Sequence, residues 1–419
     1  MKPPALAPEN GVPLEHLDIR PAPGGFRPAR DPARVAEVRS LCAAIARFGS
    51  LRALHAAPDW PVLAARYRAL LDVAFRYEAP AAAPAAAADA SPNGLPPLRV
   101  AHWNIEHGNR YAAIERALLT HPGLAGADVV MLNEVDLGMS RAANRDVTGD
   151  LAQALGYHAV FAPQFVESTV GRDDDALTAG GGPNQESLFG LAILSRWPIG
   201  GVRLVPMPGP ERIQFDLERM VGRFVAVVAE VRRPGAPFVA VASHLEVHRT
   251  RRHRAAQIAC VARVLAAETR PVVWAGDFNT HTFDRGLWHT PLAGAWPLLA
   301  WTTPALSARL LHPDRGAHRE TLFAELERAG FAWTPYADFA PSLSVRFDRL
   351  EELHVIPAPL RPGARRMLAW AERRAQLRLD WICGRGWRDE AGRGWTVPGL
   401  DGPGIASDHA PVVAELMGR

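Results

Sequence analysis

The chain has 419 residues, of which 48% are hydrophobic, and its 47 basic and 44 acidic residues leave a net charge of only +3. A chain of this length and composition forms a buried core, which excludes disordered and fibrous proteins. The small charge excess does not identify a nucleic-acid-binding protein.

The cysteines Cys42, Cys260 and Cys383 are odd in number and far apart in the sequence. This argues against a disulfide framework and against a thiolate metal site. The N-terminus has no apolar stretch of signal-peptide length, and nowhere is there a run of about 18 uncharged apolar residues, the length that crosses a bilayer. We therefore expect three free thiols in a cytoplasmic protein without a transmembrane segment.

The first part of the chain differs in composition from the rest, being rich in Ala, Arg and Pro. Apolar side chains at helical spacing predict helices over 32–47 and 60–77. The Ala- and Pro-rich stretch 79–97 is typical of a semi-rigid linker. We predict an N-terminal helical extension over 1–78, then this linker, then the main domain over 98–419.

In the main domain, short apolar runs alternate with amphipathic segments, the pattern of strands and helices that form layers. Strands are predicted over 98–103, 129–132, 158–161, 190–194, 224–231, 238–242, 271–275, 379–383 and 411–416. Helices are predicted over 111–120, 148–155 and 252–267. The main domain is therefore of the α/β class.

Polar residues of catalytic type follow several of these strands. The sequence Gly-Asp-Phe-Asn, 276–279, ends the apolar run 271–275. Side chains two apart in a strand share a face, so Asp277 and Asn279 would point the same way. Active sites collect at strand ends of layered α/β folds, but Asp and Asn also cap turns. These four residues alone do not decide between a catalytic pair and a turn.

Seven motifs occur in a fixed order along the main domain. They are HWNIEHG (102–108), NEVD (133–136), FGLAILSRWPI (189–199), SHLE (243–246), GDFN (276–279), LDWI (379–382) and SDHAPV (407–412). This series resembles that of the endonuclease/exonuclease/phosphatase superfamily, which includes DNases, abasic-site endonucleases, sphingomyelinases, deadenylases and inositol polyphosphate 5-phosphatases. The stretch 134–146 is similar to uncharacterised bacterial members.

The resemblance extends over 98–416 and implies a fold and a reaction. The implied fold is the DNase I-like four-layer α/β sandwich, with two packed, largely antiparallel sheets and helices outside. The implied reaction is divalent-metal-dependent hydrolysis of a phosphate ester, which makes 98–419 the catalytic domain. Oxygen ligands suit Mg²⁺ or Mn²⁺.

The resemblance also implies metal ligands. Glu134 is the first choice, with Asn104 as an amide ligand or as a residue that holds Glu134 in place, and Asp408 matches a residue of metal contact or site orientation. The alternatives are an exposed loop carboxylate for Glu134 and a turn-forming Asn104.

The same resemblance implies five catalytic residues. Asp277 positions or deprotonates the attacking water, and Asn279 donates a hydrogen bond to the phosphoryl group. His409 stabilises charge or delivers a proton, Asp380 orients it, and His244 contacts the phosphate. The alternative for each histidine is a structural or surface role.

The substrate stays open at this point. The leading hypothesis is a phosphodiesterase, nuclease-like or phospholipase C/sphingomyelinase-like, acting on nucleic acid or a phospholipid head group. The alternatives are a phosphomonoesterase on a small molecule such as an inositol phosphate, and a catalytically degenerate binding module. No obligate protein partner is evident.

Three sequence features bear on the substrate without deciding it. HRTRRHR, 248–254, is a phosphate-binding rim or a solvated helix start. The insertion at about 281–377 forms a lid or groove, or a small subdomain packed by its tryptophans. Asn133 stands where nuclease branches of the superfamily usually have Gln.

Overall fold

A computed structural model describes residues 18–21, 32–79, 95–171, 174–209, 219–284, 296–298, 300–343, 358–372, 374–402 and 404–418. Most of the predicted linker and parts of the predicted insertion, including Trp288, lie outside these residues. Among the described residues, no helix has the length and apolar character needed to cross a membrane.

Fourteen strands are described. They are β1 (Asp18–Pro21), β2 (Val73–Tyr77), β3 (Leu98–His107), β4 (Val129–Leu137), β5 (His158–Glu167), β6 (Leu188–Ser195), β7 (Ile199–Pro206), β8 (Met220–Gly222), β9 (Val225–Val231), β10 (Phe238–His244), β11 (Val272–Asp277), β12 (Asp380–Arg385), β13 (Arg393–Thr396) and β14 (Val412–Leu416). All nine strands predicted from the sequence are among them.

The described α-helices are α1 (Pro32–Ala46), α2 (Leu51–His55), α3 (Trp60–Leu71), α4 (Tyr111–Thr120), α5 (Val147–Leu155), α6 (Asp174–Thr178), α7 (Arg251–Val264), α8 (Thr303–Leu310), α9 (Leu322–Arg328) and α10 (Arg361–Glu372). Short 3₁₀ turns lie at Ser140–Ala142, Thr334–Tyr336, Ala358–Leu360 and Asp389–Ala391. The predicted helices over 111–120, 148–155 and 252–267 correspond to α4, α5 and α7.

The strands form two mixed sheets. The first has the order β1-β2-β5-β6-β4-β3-β14-β13, with β8 paired to β5, and the second has the order β12-β11-β10-β9-β7. Only the β1–β2, β3–β4 and β10–β11 pairs are parallel, so among the described strands antiparallel pairing dominates.

The two sheets pack face to face, and helices cover their outer faces. The core between the sheets combines Val100 and Ile193 of the first sheet with Ala240 and Ile382 of the second. A second core lies between the first sheet and α1 to α5, and a third between the second sheet, α7 and α9. Helix, sheet, sheet and helix form four layers, which confirms the predicted fold class.

The N-terminal region contributes to the first sheet. The helix predicted over 60–77 ends at Leu71, and the next residues form β2, which pairs antiparallel with β5. Val73, Phe75 and Tyr77 alternate in the sequence, which is the period of a strand. The prediction of a helix over 60–77 was therefore wrong for residues 73–77. The Tyr77 hydroxyl donates to Oδ2 of Asp146 at 2.7 Å, which ties β2 to the start of α5.

Candidate active site

Strand pairing brings polar residues of five strands together. His244 at the end of β10 is in register with Asp277 at the end of β11, and Asp277 is in register with Asp380 at the start of β12. In the first sheet Asn104 of β3 is in register with Asn133 of β4. The two sheets therefore present these residues from opposite sides of one site.

Irregular backbone at these strand ends turns the polar side chains into the site. The β3–β4 register shifts between Asn104 and His107, and the β4–β6 register shifts between Leu132 and Val135. Glu134, inside the second shift, has φ of 53°, and Asn279 has φ of 49°. Such left-handed backbone is uncommon for residues other than glycine, and it clusters at functional sites.

Asp277 lies at the centre of the site. Its Oδ2 atom is 3.4 Å from the amide nitrogen of Asn104, 3.6 Å from Nε2 of His244 and 3.8 Å from Nε2 of His409. Its Oδ1 atom accepts the backbone N–H of Asn279 at 2.8 Å. Oδ2 thus faces one amide and two imidazoles. These three groups come from β3, from β10 and from the loop before β14.

His409 and Asp380 form a hydrogen-bonded pair. Nδ1 of His409 lies 2.7 Å from Oδ2 of Asp380, and both side chains are buried. The loop before β14 is fixed to β3, because the Ser407 hydroxyl donates to the carbonyl of Asn104 and the indole of Trp103 donates to the carbonyl of His409. The imidazole is therefore held with Nε2 directed at Asp277.

The charges of this pair stabilise each other. Burial alone would lower the pKa of His409, but the charges of Asp380, Asp408 and Asp277 outweigh it and raise the pKa well above its ordinary value. Burial opposes ionisation of Asp380, yet the His409 charge and the hydrogen bond from His102 lower the pKa of Asp380. At neutral pH the pair is an imidazolium next to a carboxylate.

A second group of acidic side chains lies next to Asp277. The amide nitrogen of Asn104 donates to Oε1 of Glu134 at 3.0 Å, and its carbonyl oxygen accepts the backbone N–H of Glu106. Asn104 therefore donates towards both Glu134 and Asp277, so it holds the two carboxylates at a fixed separation. Asp408 adds a further negative charge that acts on Glu134.

These carboxylates resist ionisation in the absence of a cation. Burial, followed by the charge of Asp408, raises the pKa of Glu134 to about 8. Burial, followed by the charge of Asp380, raises the pKa of Asp277 to about 7. Burial and the charge of Asp408 also raise the pKa of Glu106, to about 7. A positive ion placed among these oxygens would offset the repulsion between the carboxylates, which causes part of the rise in each pKa.

The donor set fits a divalent cation of the Mg²⁺ type. Glu134 and Asp408 offer carboxylate oxygens, and Mg²⁺ needs only one or two of them because it retains water. The Glu134 side chain keeps 22% of its surface exposed, so an ion or a phosphate can reach it. Both polar side-chain atoms of Asn104 are already hydrogen-bonded. Asn104 is therefore better suited to hold Glu134 in place than to bind the ion itself.

Asp277, Asp380 and His409 form another possible cation site, since one ligand atom of each lies within 4.8 Å of the others. Asp380 is poorly suited to it, because Oδ2 already accepts from Ser342 and His409 and Oδ1 lies 2.9 Å from Nε2 of His102. We therefore favour the Glu134 side of the site for the ion.

Asn279 and His244 lie beside Asp277. The amide nitrogen of Asn279 donates to the carbonyl of Leu245 at 2.7 Å. This bond uses one of its two N–H groups and leaves the other for a ligand. The His244 ring stands edge-on to Phe224, with ring centroids 6.3 Å apart. The structure thus brings all eight residues singled out from the sequence into one site.

Several residues of the site were not predicted from the sequence as metal ligands or catalytic residues. The side-chain oxygen of Asn133 accepts the backbone N–H of Asp277 at 2.7 Å. Nε2 of His107 lies 3.5 Å from Oε2 of Glu134. His107 belongs to the HWNIEHG motif, and this membership could have indicated it as a site residue. His102, in the same motif, contacts Asp380 from the other sheet.

A buried arginine supports the loop that follows Glu134. Arg141 makes a two-pronged contact with Asp136 at 2.7 and 2.9 Å, and it also pairs with Glu167 at 2.9 Å. None of the three side chains is exposed. The EVDLGMSR segment therefore has a structural role as well as supplying Glu134.

The arginine-rich segment 248–254 has a role that neither sequence interpretation included. Arg254 is buried and forms an ion pair with Glu320, with Nη2 and Oε1 2.6 Å apart. Arg251 pairs with Asp284 at 3.3 Å. These two arginines anchor the insertion to α7. Among its tryptophans, Trp333 is buried in the core under the second sheet, whereas Trp296 is 68% exposed.

The sequence profile of the Endonuclease/Exonuclease/phosphatase family matches residues 101–409. The chain belongs to this family. The family description names nucleases and phosphatases, both of which hydrolyse phosphate esters. The match spans every motif from HWNIEHG to the SDH of the last one, and so confirms the resemblance identified from the sequence. A search of curated proteins finds no match to the chain.

Several solved structures, among them the following three, have a similar backbone fold. An endonuclease/exonuclease/phosphatase from Beutenbergia cavernae DSM 12333 is 19% identical and aligns over 77% of this chain and 72% of its own, with a TM-score of 0.42. A 3′-5′ exonuclease from Neisseria meningitidis is 18% identical over 76% and 99%, with a TM-score of 0.43. Sphingomyelinase C from Streptomyces griseocarneus is 14% identical over 76% and 99%, with a TM-score of 0.42.

Proposed function

We propose that this family member is a Mg²⁺-dependent phosphodiesterase. The observation that supports it most is the environment of Asp277 Oδ2, which faces Asn104, His244 and His409 within 3.8 Å. A base with a pKa of about 7 is suited to accept a proton from water at neutral pH. The imidazoles beside it are suited to contact a phosphoryl group.

The proposed roles follow from this arrangement. Asp277 accepts the proton of the attacking water. His409, kept as an imidazolium by Asp380, stabilises the negative charge on the phosphoryl oxygens or protonates the leaving oxygen. His244 and the remaining N–H of Asn279 orient the phosphoryl group. A divalent ion held by Glu134 and Asp408 would neutralise charge on a phosphoryl oxygen.

The charge of the site favours a diester over a monoester. Beside Asp277 the protonated His409 supplies positive charge, while Asp408 supplies negative charge and Glu134 and Glu106 add more when they ionise. A phosphodiester has one negative charge, whereas a monoester has about 1.5 to 2 at neutral pH. The less charged substrate is repelled less. Nucleic acid and phospholipid head groups both contain such a diester, and both stay within the proposal.

The test compares bis(p-nitrophenyl) phosphate with p-nitrophenyl phosphate in the presence of Mg²⁺, Mn²⁺ or EDTA. We expect metal-dependent hydrolysis of the diester to be the faster reaction. Asp277→Asn and His409→Ala should each lower kcat by a factor on the order of 10³ or more while the circular dichroism spectrum is unchanged. Unimpaired activity in both variants would refute the assignment, and faster monoester hydrolysis would replace it with a phosphomonoesterase.

The cellular location stays a proposal as well. All three cysteines are free thiols, as is usual in a reducing compartment. We therefore propose a cytoplasmic enzyme, which fractionation of cells expressing the full chain would test.

A further inference from the structure

His102 contacts the active-site carboxylate Asp380 from the opposite sheet. It lies in β3 of the first sheet and is fully buried. Its Nε2 atom is 2.9 Å from Oδ1 of Asp380, and its Nδ1 atom is 3.1 Å from the carbonyl oxygen of Met131 in β4. The imidazole therefore spans the space between the two sheets, directly behind the pair formed by Asp380 and His409.

Both neighbours of His102 are hydrogen-bond acceptors. A backbone carbonyl can only accept, and the ionised carboxylate of Asp380 can only accept as well. Nε2 of His102 must then donate its hydrogen to Oδ1 of Asp380 to form the bond that the 2.9 Å distance indicates. His102 is thus a hydrogen-bond donor to Asp380, and the other edge of its ring lies against the Met131 carbonyl of β4.

The other oxygen of Asp380 is also constrained. The Ser342 hydroxyl accepts the backbone N–H groups of Leu379 and Asp380, at 2.9 and 3.1 Å, so its own hydrogen is directed at Oδ2 of Asp380, 2.7 Å away. Nδ1 of His409 reaches the same oxygen at 2.7 Å. Without His102, Oδ1 would lose a donor and the carboxylate plane could rotate away from His409.

We propose that His102 is a positioning residue for the hydrolysis reaction, which fixes the Asp380 carboxylate so that Oδ2 faces His409 and Nε2 of His409 faces Asp277. This inference rests on the proposed phosphodiesterase function. The hydrogen bonds of the His102 side chain go to Asp380 and to the Met131 carbonyl, so in this proposal it acts through Asp380.

A purely structural role is the competing explanation. His102 joins two sheets, and its loss would lower stability whatever happens at the active site, because a buried polar group without a partner is unfavourable. The two explanations differ in one respect. A positioning role requires that the effect of His102 on turnover disappear once Asp380 can no longer support His409.

The experiment measures kcat and KM for bis(p-nitrophenyl) phosphate at saturating Mg²⁺ in the full chain. The variants are His102→Leu, which removes the donor to Asp380, and His102→Gln, whose amide can supply an N–H in its place. Each is also made in the Asp380→Asn background. Tyr157→Phe is the control for loss of a buried hydrogen bond away from the site, since the Tyr157 hydroxyl donates to the carbonyl of Ala127.

We expect His102→Leu to lower kcat by about 10- to 100-fold, the usual range for a residue that supports a site ligand, with KM changed less than about 3-fold. His102→Gln should recover most of this loss. In the Asp380→Asn background the same change should lower kcat by less than about 3-fold, because coupled residues are not additive. Tyr157→Phe should lower the melting temperature without lowering kcat.

Two outcomes overturn the inference, and they are distinguishable from failure of the proposed function. In the first, His102→Leu lowers kcat by the same factor in the wild-type and Asp380→Asn backgrounds. In the second, His102→Gln has the melting temperature of the wild type but a kcat as low as that of His102→Leu. Either result would assign His102 a structural role alone. If the wild-type protein hydrolyses no diester, the proposed function fails and this role fails with it. If His102→Leu does not fold, the His102→Gln comparison decides.

Discussion

The side-chain oxygen of Asn133 accepts a hydrogen bond from the backbone N–H of Asp277 over 2.7 Å. Asn133 lies in the first sheet and Asp277 in the second, so this bond joins the two halves of the active site. Glu134 follows Asn133 directly in the chain. The separation between the proposed metal-binding carboxylate and the proposed base is therefore set in part by the Asn133 amide.

Replacing Asn133 should weaken catalysis without changing the groups that perform it. Asn133→Ala leaves the buried N–H of Asp277 without its partner, so we expect the free energy of unfolding to fall by about 1–3 kcal/mol and kcat to fall by about 10- to 100-fold. Urea denaturation and diester hydrolysis measure the two effects. Asn184→Ala is the control, because Asn184 bonds to Ser140 and Thr169, and it should lose stability but retain kcat. Full activity in Asn133→Ala would refute the role.

Metal binding should release protons at neutral pH. Since burial and Asp408 raise the pKa of Glu134 to about 8, most of the metal-free protein has a neutral Glu134 at pH 7, and a cation must displace that proton to bind. Calorimetric titration with Mg²⁺ in two buffers of different ionisation enthalpy should show release of up to about one proton per ion at pH 7, and less at pH 9.

Glu134→Gln should lower Mg²⁺ affinity by about 10- to 100-fold or more and reduce the proton release. The matched control is Glu327→Gln, since Glu327 is more than half exposed and pairs with Arg319 on the surface. Identical heats in both buffers for the wild-type protein would show that Glu134 is already ionised without metal.

The sequence was sufficient to predict the layers and most of the strands. The long apolar runs of β3, β4, β6 and β11 are buried on both faces, and such runs are recognisable without any tertiary information. The residues in motifs were predicted for a related reason, because most of the motifs lie at or next to the end of a strand, such as SHLE at β10, GDFN at β11 and LDWI at β12.

Contacts across the sheets could not be predicted in this way. His102 and Asp380 are 278 positions apart, and nothing local to either residue indicates the other. Asn133 looked like a substitution within a motif, and its bond to Asp277 depends on how the two sheets stack. β2 was assigned to a helix because the helical pattern of α3 runs into its alternating residues without a break.

Activity should rise with pH through neutrality. The proposed base Asp277 has its pKa raised to about 7 by burial and by Asp380, and it must be deprotonated to accept a proton. His409 must stay protonated, and its raised pKa places the loss of that proton at higher pH. We therefore expect a bell-shaped dependence of kcat/KM on pH. Its acidic limb should lie between about pH 5 and 7, since a bound cation lowers the pKa of nearby carboxyls. A flat profile from pH 5 to 8 would contradict the assignment of Asp277.

The metal-free protein should become less stable as pH rises. A carboxyl whose pKa is raised on folding stabilises the folded state below its unfolded value, about 4.3 for Glu, and this contribution is lost as pH rises through the folded value. For Glu134 the loss spans pH 4.3 to about 8. In EDTA, the melting temperature of wild type relative to Glu134→Gln should therefore decrease between pH 5 and 8. Added Mg²⁺ should raise the melting temperature more at pH 8 than at pH 5, and a difference that is constant with pH would exclude Glu134 as the cause.

The ion pair between Arg254 and Glu320 should be essential for the attachment of the insertion. Neither side chain is exposed, and Glu320 also accepts the backbone N–H of Thr282, close to Asn279 of the active site. Removing one partner leaves the other charge buried and unpaired, so Arg254→Met or Glu320→Leu alone should lower the free energy of unfolding by about 3–5 kcal/mol. The double variant should recover much of that loss, because two apolar side chains leave no unpaired charge. Urea denaturation of the four proteins forms a double-mutant cycle. Additive losses would show that the two residues stabilise the fold independently, and that the insertion is attached by its apolar contacts instead.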